Sequence, residues 1–135
     1  MLFRSASERV PGRVSFLGPL NDVVPAYRAA DVLVLASKGG DSMPAVLIEA
    51  GLCGLPLVAC PVGAIEDVVV NGVTGLLVPS GDVPELTQAL ASLAADGALR
   101  RRLGDAAAEH CAARFTIRAV ADRWEAVLRS VARPR

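Results

Sequence analysis

Two uninterrupted apolar runs, residues 32–36 and residues 56–60, constrain the fold of this chain more than any other feature. Neither run carries a charge, which is the pattern of parallel strands covered on both faces. A glycine-rich loop and a helical segment from about residue 43 to residue 53 lie between them; Pro44 suits its first turn and Gly54 stops it. Because a helix that links two buried strands makes a right-handed crossover, the sequence predicts an α/β fold with a parallel sheet.

The remaining segments extend this alternation over most of the chain. Two further strands are predicted at residues 14–18 and 75–78, and four further helices at residues 21–30, 82–95, 98–113 and 117–131. Asn21 is the predicted N-cap of the first of these helices, and Asp82 with Glu85 begins the second like a capping box. We interpret residues 1–12 as an irregular lead-in and residues 13–135 as one Rossmann-like domain. Four strands are fewer than the roughly six of a doubly wound nucleotide-binding domain, so we expect an N-terminally truncated domain.

Composition excludes several classes of protein. With 53% hydrophobic and 21% charged residues the chain is not disordered, and no stretch reaches transmembrane length. Cys53, Cys60 and Cys111 form no Cys-x-x-Cys pair, and the single histidine, His110, has no partner at metal-ligand spacing. Cys53 and Cys60 lie in apolar runs and are predicted to be small core residues. We therefore expect no disulfide framework, no bound metal and a reducing, cytoplasmic compartment.

Charge is distributed unevenly, although the net charge is zero. Residues 98–135 carry nine arginines and four acidic residues, whereas residues 1–97 are acidic overall. A basic segment can bind nucleic acid or an anionic membrane surface. These arginines are spread over two predicted helices, and only at residues 100–102 are they consecutive. We interpret them as a solvated helical face and expect no nucleic-acid partner; peripheral membrane contact has no further support in the sequence.

Glu49 is the one charged residue between Ser42 and Cys60, in a helix that is otherwise apolar nearly all round. A helix of that kind is typically buried, and a buried carboxylate needs hydrogen bonds. Carboxylate oxygens can accept from the two hydroxyls of a ribose. Bonds to nearby backbone groups, or exposure to water, account for Glu49 equally well from the pattern alone. For Asp41, eight residues earlier, capping of the helix N-terminus is the simpler interpretation.

This helix and its surroundings resemble a known family. Residues 41–50 (DSMPAVLIEA), followed by the stop at residues 54–56 and a strand, are similar to the Glu-x7-Glu signature of retaining family 4 glycosyltransferases. Three other segments resemble blocks of that family in order and spacing: residues 14–18, 30–37 and 63–82. The resemblance covers about residues 13–130 and implies the C-terminal, donor-binding half of a GT-B fold.

The resemblance assigns roles by position. It implies that Glu49 holds the ribose hydroxyls of a nucleotide-diphosphate sugar, and that Asp41 is the catalytic carboxylate that contacts the donor sugar as the glycosidic bond breaks. It also implies that backbone N–H groups at the helix start face the sugar or the diphosphate, at Ser42, Met43, Pro44, Ala45 and Val46. The loop of Gly18, Pro19 and Leu20 is expected near the nucleobase. No cofactor is implied, and the absence of an Asp-x-Asp pair agrees with metal-independent hexosyl transfer.

The chain departs from the family pattern in several places. Asp41 replaces a glutamate and is shorter by one methylene, and Ala64 stands where a second glycine is usual. The family's Gly-Arg…Lys-Gly element, which supplies cations to the diphosphate, has no counterpart, and neither does its acceptor-binding N-terminal domain. We therefore expect that transfer requires that domain or a second chain, and that this chain alone is inactive.

Other interpretations remain open. A nonenzymatic nucleotide-binding or interaction module, or half of a split enzyme, accounts for the missing cationic element. Another GT-B-type enzyme, such as a nucleotide-sugar epimerase, would have the same sheet, although the segment from Asn71 to Asp82 is not typical of such enzymes. A dinucleotide-dependent dehydrogenase is disfavoured because no Gly-x-Gly-x-x-Gly follows a strand.

The last predicted helix carries an apolar stripe at helical spacing, formed by Val120, Trp124, Val127, Leu128 and Val131. In the resembling family this segment packs on the N-terminal domain. Without that partner, the stripe either folds onto its own domain or stays exposed, and exposed apolar stripes drive association. We therefore expect self-association.

Overall fold

The computed structural model describes residue 10, residues 12–39 and residues 43–132. In chain order the elements are α1 (Val24–Ala29), β1 (Leu33–Leu35), α2 (Ala45–Leu52), β2 (Leu57–Ala59), a 3-10 helix (Ile65–Asp67), β3 (Gly75–Leu77), α3 (Val83–Ala95), α4 (Gly97–Phe115) and α5 (Ile117–Val131). Strands alternate with helical segments as far as α3, and α4 and α5 then follow without a further strand. Within these described ranges, no helix is both long enough and apolar enough to cross a membrane.

The three strands form one parallel sheet in the order β1-β2-β3, which confirms the predicted α/β class. All three residues of the central strand β2 are buried. The prediction that residues 32–36 are covered on both faces is wrong, because Val34 of the edge strand β1 is 40% exposed. On the face of Val34, the helices α3 and α4 pack over β2 and leave β1 open.

The strand predicted at residues 14–18 is also absent, because these residues have no regular structure. Phe16 and Leu17 are each more than half exposed. Strand preference reflects packing on a pleated, half-buried surface beside a neighbouring strand. The segment lies outside the three-stranded sheet, so its apolar residues do not form a strand there.

Two predicted helix starts have different outcomes in the structure. The α1 helix begins at Val24, where the Oδ1 atom of Asp22 accepts a hydrogen bond from the Val24 N–H at 3.0 Å. The predicted N-cap, Asn21, is therefore wrong by position. The start of α3 is as predicted, because Asp82 Oδ1 accepts from the Glu85 N–H at 2.9 Å. The predicted bounds of α5 are confirmed without change.

Buried side chains form two clusters on opposite faces of the sheet. One lies between the sheet and the α2 and α4 helices and contains Leu47, Ala50, Leu55, Leu57, Ala59, Ile65, Val68, Val69, Ala107 and Cys111. The other lies beneath α3 and contains Val58, Cys60, Val78, Ala89, Leu93 and Leu103. Because alternate residues of β2 point to opposite faces, both clusters share that strand. Cys60 is a core residue as predicted, whereas Cys53 is half-buried.

The α2 and α4 helices approach closely through glycines. A Cβ atom on Gly51 of α2 would lie 2.6 Å from the Sγ atom of Cys111, and one on Gly104 of α4 would collide with the carbonyl oxygen of Gly54. Burial also raises the pKa of the Cys111 thiol, which favours the neutral form of this small core residue. These contacts hold α2 and the turn that follows it close to α4.

The α5 helix contributes nothing to either cluster. None of its residues is buried, and Trp124 is 62% exposed. Its polar link to α4 is a hydrogen bond from Arg123 Nη2 to the carbonyl oxygen of Arg114, at 2.7 Å. Of the two arrangements expected for the apolar stripe, the structure has the exposed one.

We expect Gly104→Ala to lower the free energy of unfolding by about 2 kcal/mol, because the added Cβ forces α4 away from the Gly54 carbonyl. Gly97→Ala is the matched control, since there the nearest atoms are the flexible ends of Arg100 and Arg101 at 3.6 Å. It should change stability by less than about 1 kcal/mol. Urea denaturation followed by circular dichroism measures both, and equal stabilities would contradict the close helix contact.

We also expect the chain to self-associate through the α5 stripe. Replacing Trp124 by serine removes an aromatic surface and should weaken association by about 2 kcal/mol. Glu125→Ser alters the polar side of the same helix and serves as the control. Sedimentation equilibrium over a range of protein concentrations gives the association constants. A wild-type chain that remains monomeric at the highest concentration would show that this prediction is wrong.

Candidate functional site

The carboxyl ends of the three strands meet at one edge of the sheet, where ligands bind in open α/β folds. A cavity of about 140 Å³ opens there, lined by Ala36, Lys38, Cys60, Val78, Pro79, Gly81, Asp82, Val83 and Leu86. Lys38 is the only lysine in the sequence. The edge therefore combines enclosed space with one cationic side chain.

The α2 helix begins beside this edge and has no side-chain cap. Its first backbone N–H groups, at Ala45 and Val46, precede the intrahelical hydrogen bonds, so the helix start has donor capacity and a positive dipole end. Pro44, the N-cap residue, has no N–H, so its predicted part as a backbone donor is wrong on chemical grounds. Met43 is exposed just before it. Contact of this helix start with a ligand stays a prediction.

Five other predicted site residues, in two groups, precede α2 in the chain. Asp41 and Ser42 fall outside the described residues, so their assigned roles stay predictions. Gly18, Pro19 and Leu20 lie exposed in the segment that leads to α1. Gly18 has φ +67°, a conformation that favours glycine.

Glu49 lies on the second turn of α2 with its side chain exposed, which is one of the arrangements that the sequence pattern left open. The neighbours of Glu49 on the helix, Leu47 and Ala50, face the core. The Glu49 Oε2 atom accepts a hydrogen bond from the hydroxyl of Tyr27 at 2.9 Å. The carboxylate is thus held by a side chain of another helix, 22 residues earlier in the chain.

Tyr27 is the functional candidate that sequence reasoning missed. Its ring packs against the core cluster beneath α2. Burial, followed by the hydrogen bond and the charge of Glu49, raises its pKa to about 12. A phenol is protonated at neutral pH, so Tyr27 acts as the donor in this bond. No spacing rule links residues 27 and 49, so the pair becomes visible only in three dimensions.

The arginines of α4 and α5 are engaged in part by the domain itself. Arg102 Nη1 donates to the Gly72 carbonyl at 3.1 Å, and Arg100 donates to the carbonyl of Leu93 at the end of α3. These contacts agree with the interpretation of the basic segment as a helical surface. Across the described ranges, no group of three or more His, Cys, Asp or Glu side chains is arranged to hold a metal ion.

Comparison with known proteins gives a family match. The family model described as "Glycosyl transferases group 1" matches residues 2–96. A curated relative, D-inositol 3-phosphate glycosyltransferase from Corynebacterium diphtheriae, is 41% identical over 117 residues; the match covers 85% of this chain and 27% of the relative.

Two solved structures share the fold closely. Sucrose-phosphate synthase from Thermosynechococcus elongatus superposes with a TM-score of 0.86 and 32% identity, over 96% of this chain and 33% of that protein. The Anabaena protein HepE in complex with UDP gives a TM-score of 0.89 and 26% identity, over 96% of this chain and 36% of HepE. The chain thus spans about a third of each structure, and the sheet with its flanking helices corresponds to the C-terminal half of a GT-B fold.

The contact between Tyr27 and Glu49 predicts a late titration of the single tyrosine. In the folded chain the Tyr27 hydroxyl should ionise near pH 12, compared with about 10 when unfolded. Because the raised pKa favours the neutral form, its contribution to stability is complete below pH 10 and is lost as pH rises towards 12. Glu49→Ala should lower this pKa towards 10, whereas Glu109→Ala, an exposed carboxylate of α4, should not. Phenolate absorbance measures each titration, and an unchanged pKa in Glu49→Ala would contradict the contact.

Proposed function

This chain belongs to the group 1 glycosyltransferases, and from that premise we propose that it is the donor-binding half of a retaining enzyme. The proposed reaction transfers a hexosyl group from a nucleotide-diphosphate sugar without a metal ion. The observation that carries the proposal is the exposed Glu49 carboxylate, held by Tyr27, at the second acidic position of the family signature.

Glu49 suits a ribose for reasons of hydrogen-bond chemistry. A carboxylate offers about four acceptor positions on its two oxygens, and a ribose presents two adjacent hydroxyl donors. Charged hydrogen bonds of this kind contribute about 1.5–3 kcal/mol each when they are shielded from water. Because the side chain is exposed in the described structure, its remaining acceptor positions are accessible to an arriving ligand.

The start of α2 suits the diphosphate and the sugar. Its uncapped N–H groups at Ala45 and Val46 and its positive dipole end favour an anion, so they would stabilise the diphosphate as it leaves. Asp41 precedes this start in the sequence and is proposed to face the donor sugar. A carboxylate there stabilises the positive charge that grows at the anomeric carbon as the glycosidic bond breaks.

The solved relatives support a nucleotide-sugar ligand. One structure of HepE contains UDP and another contains UDP-glucose, and each superposes on 96% of this chain. The chain spans 27% of the curated relative from Corynebacterium, so the acceptor and the complete reaction are proposed and not observed. Positioning an acceptor against the anomeric carbon can supply about 7–11 kcal/mol of a barrier, and in GT-B enzymes a second domain provides that surface. We therefore propose that this chain by itself binds the donor and transfers no sugar.

A nonenzymatic nucleotide-binding module is the second candidate, because the sequence has no counterpart of the family's Gly-Arg…Lys-Gly element. The two candidates share the donor site. They differ in whether a complementary domain, added to this chain, restores transfer.

We expect the purified chain to bind UDP weakly and to release no UDP from UDP-glucose. Glu49→Ala should weaken binding about tenfold by removing the ribose acceptor. Glu109→Ala should leave it unchanged, because that carboxylate lies on another helix. Calorimetry with UDP, ADP and GDP measures affinity, and thermal denaturation checks that each variant is folded.

Three results would count against the proposal. No binding of any of the three nucleotides, or equal affinity in wild type and Glu49→Ala, would remove the ribose role. Robust turnover of UDP-glucose by this chain would contradict the proposed dependence on a second domain.

A further inference from the structure

We propose that Tyr27 is a positioning residue for the donor site, which fixes the Glu49 carboxylate so that its free acceptor positions face the ribose hydroxyls. The inference rests on the proposed ribose role of Glu49. It extends that role to a residue of α1 that lies outside the signature segment.

The first support is the direction from which the hydrogen bond comes. The ring of Tyr27 packs against the core cluster beneath α2, and its hydroxyl reaches Glu49 Oε2 at 2.9 Å. The Glu49 side chain is exposed. Tyr27 therefore holds the carboxylate from the protein side and leaves the solvent side open to a ligand.

The second support is the number of donors and acceptors. A phenol has one O–H donor, so Tyr27 occupies one of the roughly four acceptor positions of the carboxylate. Among the described residues, Tyr27 is the only side chain with a hydrogen bond to Glu49. A tyrosine hydroxyl is protonated throughout the neutral range, so it donates to the carboxylate and does not become a competing anion. The positions that remain match the two hydroxyls of a ribose.

The third support is the flexibility of a glutamate. An exposed glutamate without a partner samples many rotamers, and ordering it on binding costs conformational entropy. A hydrogen bond to an anchored ring orders the carboxylate before the ligand arrives, and preorganisation of this kind increases affinity. It also sharpens discrimination, because a fixed acceptor left unpaired penalises a ligand that lacks the hydroxyl.

The test compares two ligands that differ at the ribose. Affinities for UDP and for 2′-deoxy-UDP are measured by calorimetry with wild type, Tyr27→Phe, Glu49→Ala and the double variant. Tyr27→Phe keeps the ring that packs on the core and removes the hydroxyl, and Glu109→Ala is the charge control. Thermal denaturation of each variant shows whether the fold is intact.

We expect wild type to prefer UDP over the deoxy analogue by about tenfold, and Glu49→Ala to abolish the preference. Tyr27→Phe should reduce the preference by about three- to fivefold while the fold remains intact. In the double variant, Tyr27→Phe should have no further effect, because its hydroxyl acts through Glu49.

The outcomes separate the inference from the proposed function. If Glu49→Ala loses the ribose preference and Tyr27→Phe keeps it, the positioning role is overturned and the ribose contact stands. If Glu49→Ala keeps the preference, or if wild type binds neither ligand, the proposed ribose contact fails and the inference fails with it. Loss of thermal stability in Tyr27→Phe with an unchanged preference would assign Tyr27 a structural role only.

Discussion

The close contact between α2 and α4 is the constraint on which the rest of the domain depends. Gly51 leaves room for Cys111, and Gly104 lets α4 reach the backbone at Gly54. Small residues permit this approach, and dense packing makes even one added carbon costly. The contact fixes which side of α2 is buried, so that Leu47 enters the core while Glu49 faces outward.

That orientation also determines the surroundings of the candidate site. The α1 helix is only six residues long and has no buried residue, so its own contribution to stability is small. It is held against the domain in part by the ring of Tyr27, which packs on the cluster that α2 and α4 create. The hydrogen bond to Glu49 therefore depends on the same packing that orients α2. The contact between Tyr27 and Glu49 is thus a consequence of how α2 and α4 pack against the sheet.

The accuracy of the sequence predictions follows the range of the interactions that decide each element. The start of α3 was predicted correctly because its capping bond joins residues three apart, Asp82 and Glu85. The prediction of a strand at residues 14–18 was wrong because a strand needs a neighbouring strand, and an apolar run in the sequence does not show whether one is present. The family could be named because the spacing of Asp41 and Glu49 and the segments around them lie along the chain, and the comparisons confirmed it.

The sequence by itself determined the α/β class, the parallel sheet, most helix positions and the family, since these follow from local patterns of apolar, capping and signature residues. Tertiary structure alone decided that Glu49 is exposed on an otherwise apolar helix and that Tyr27 is its hydrogen-bond partner. It also decided that the α5 stripe stays uncovered in this chain. The physical reason is distance along the chain. Residues 27 and 49 meet only after separate helices pack on the same core. Because α2 is apolar nearly all round, its sequence pattern does not encode which side finally faces outward.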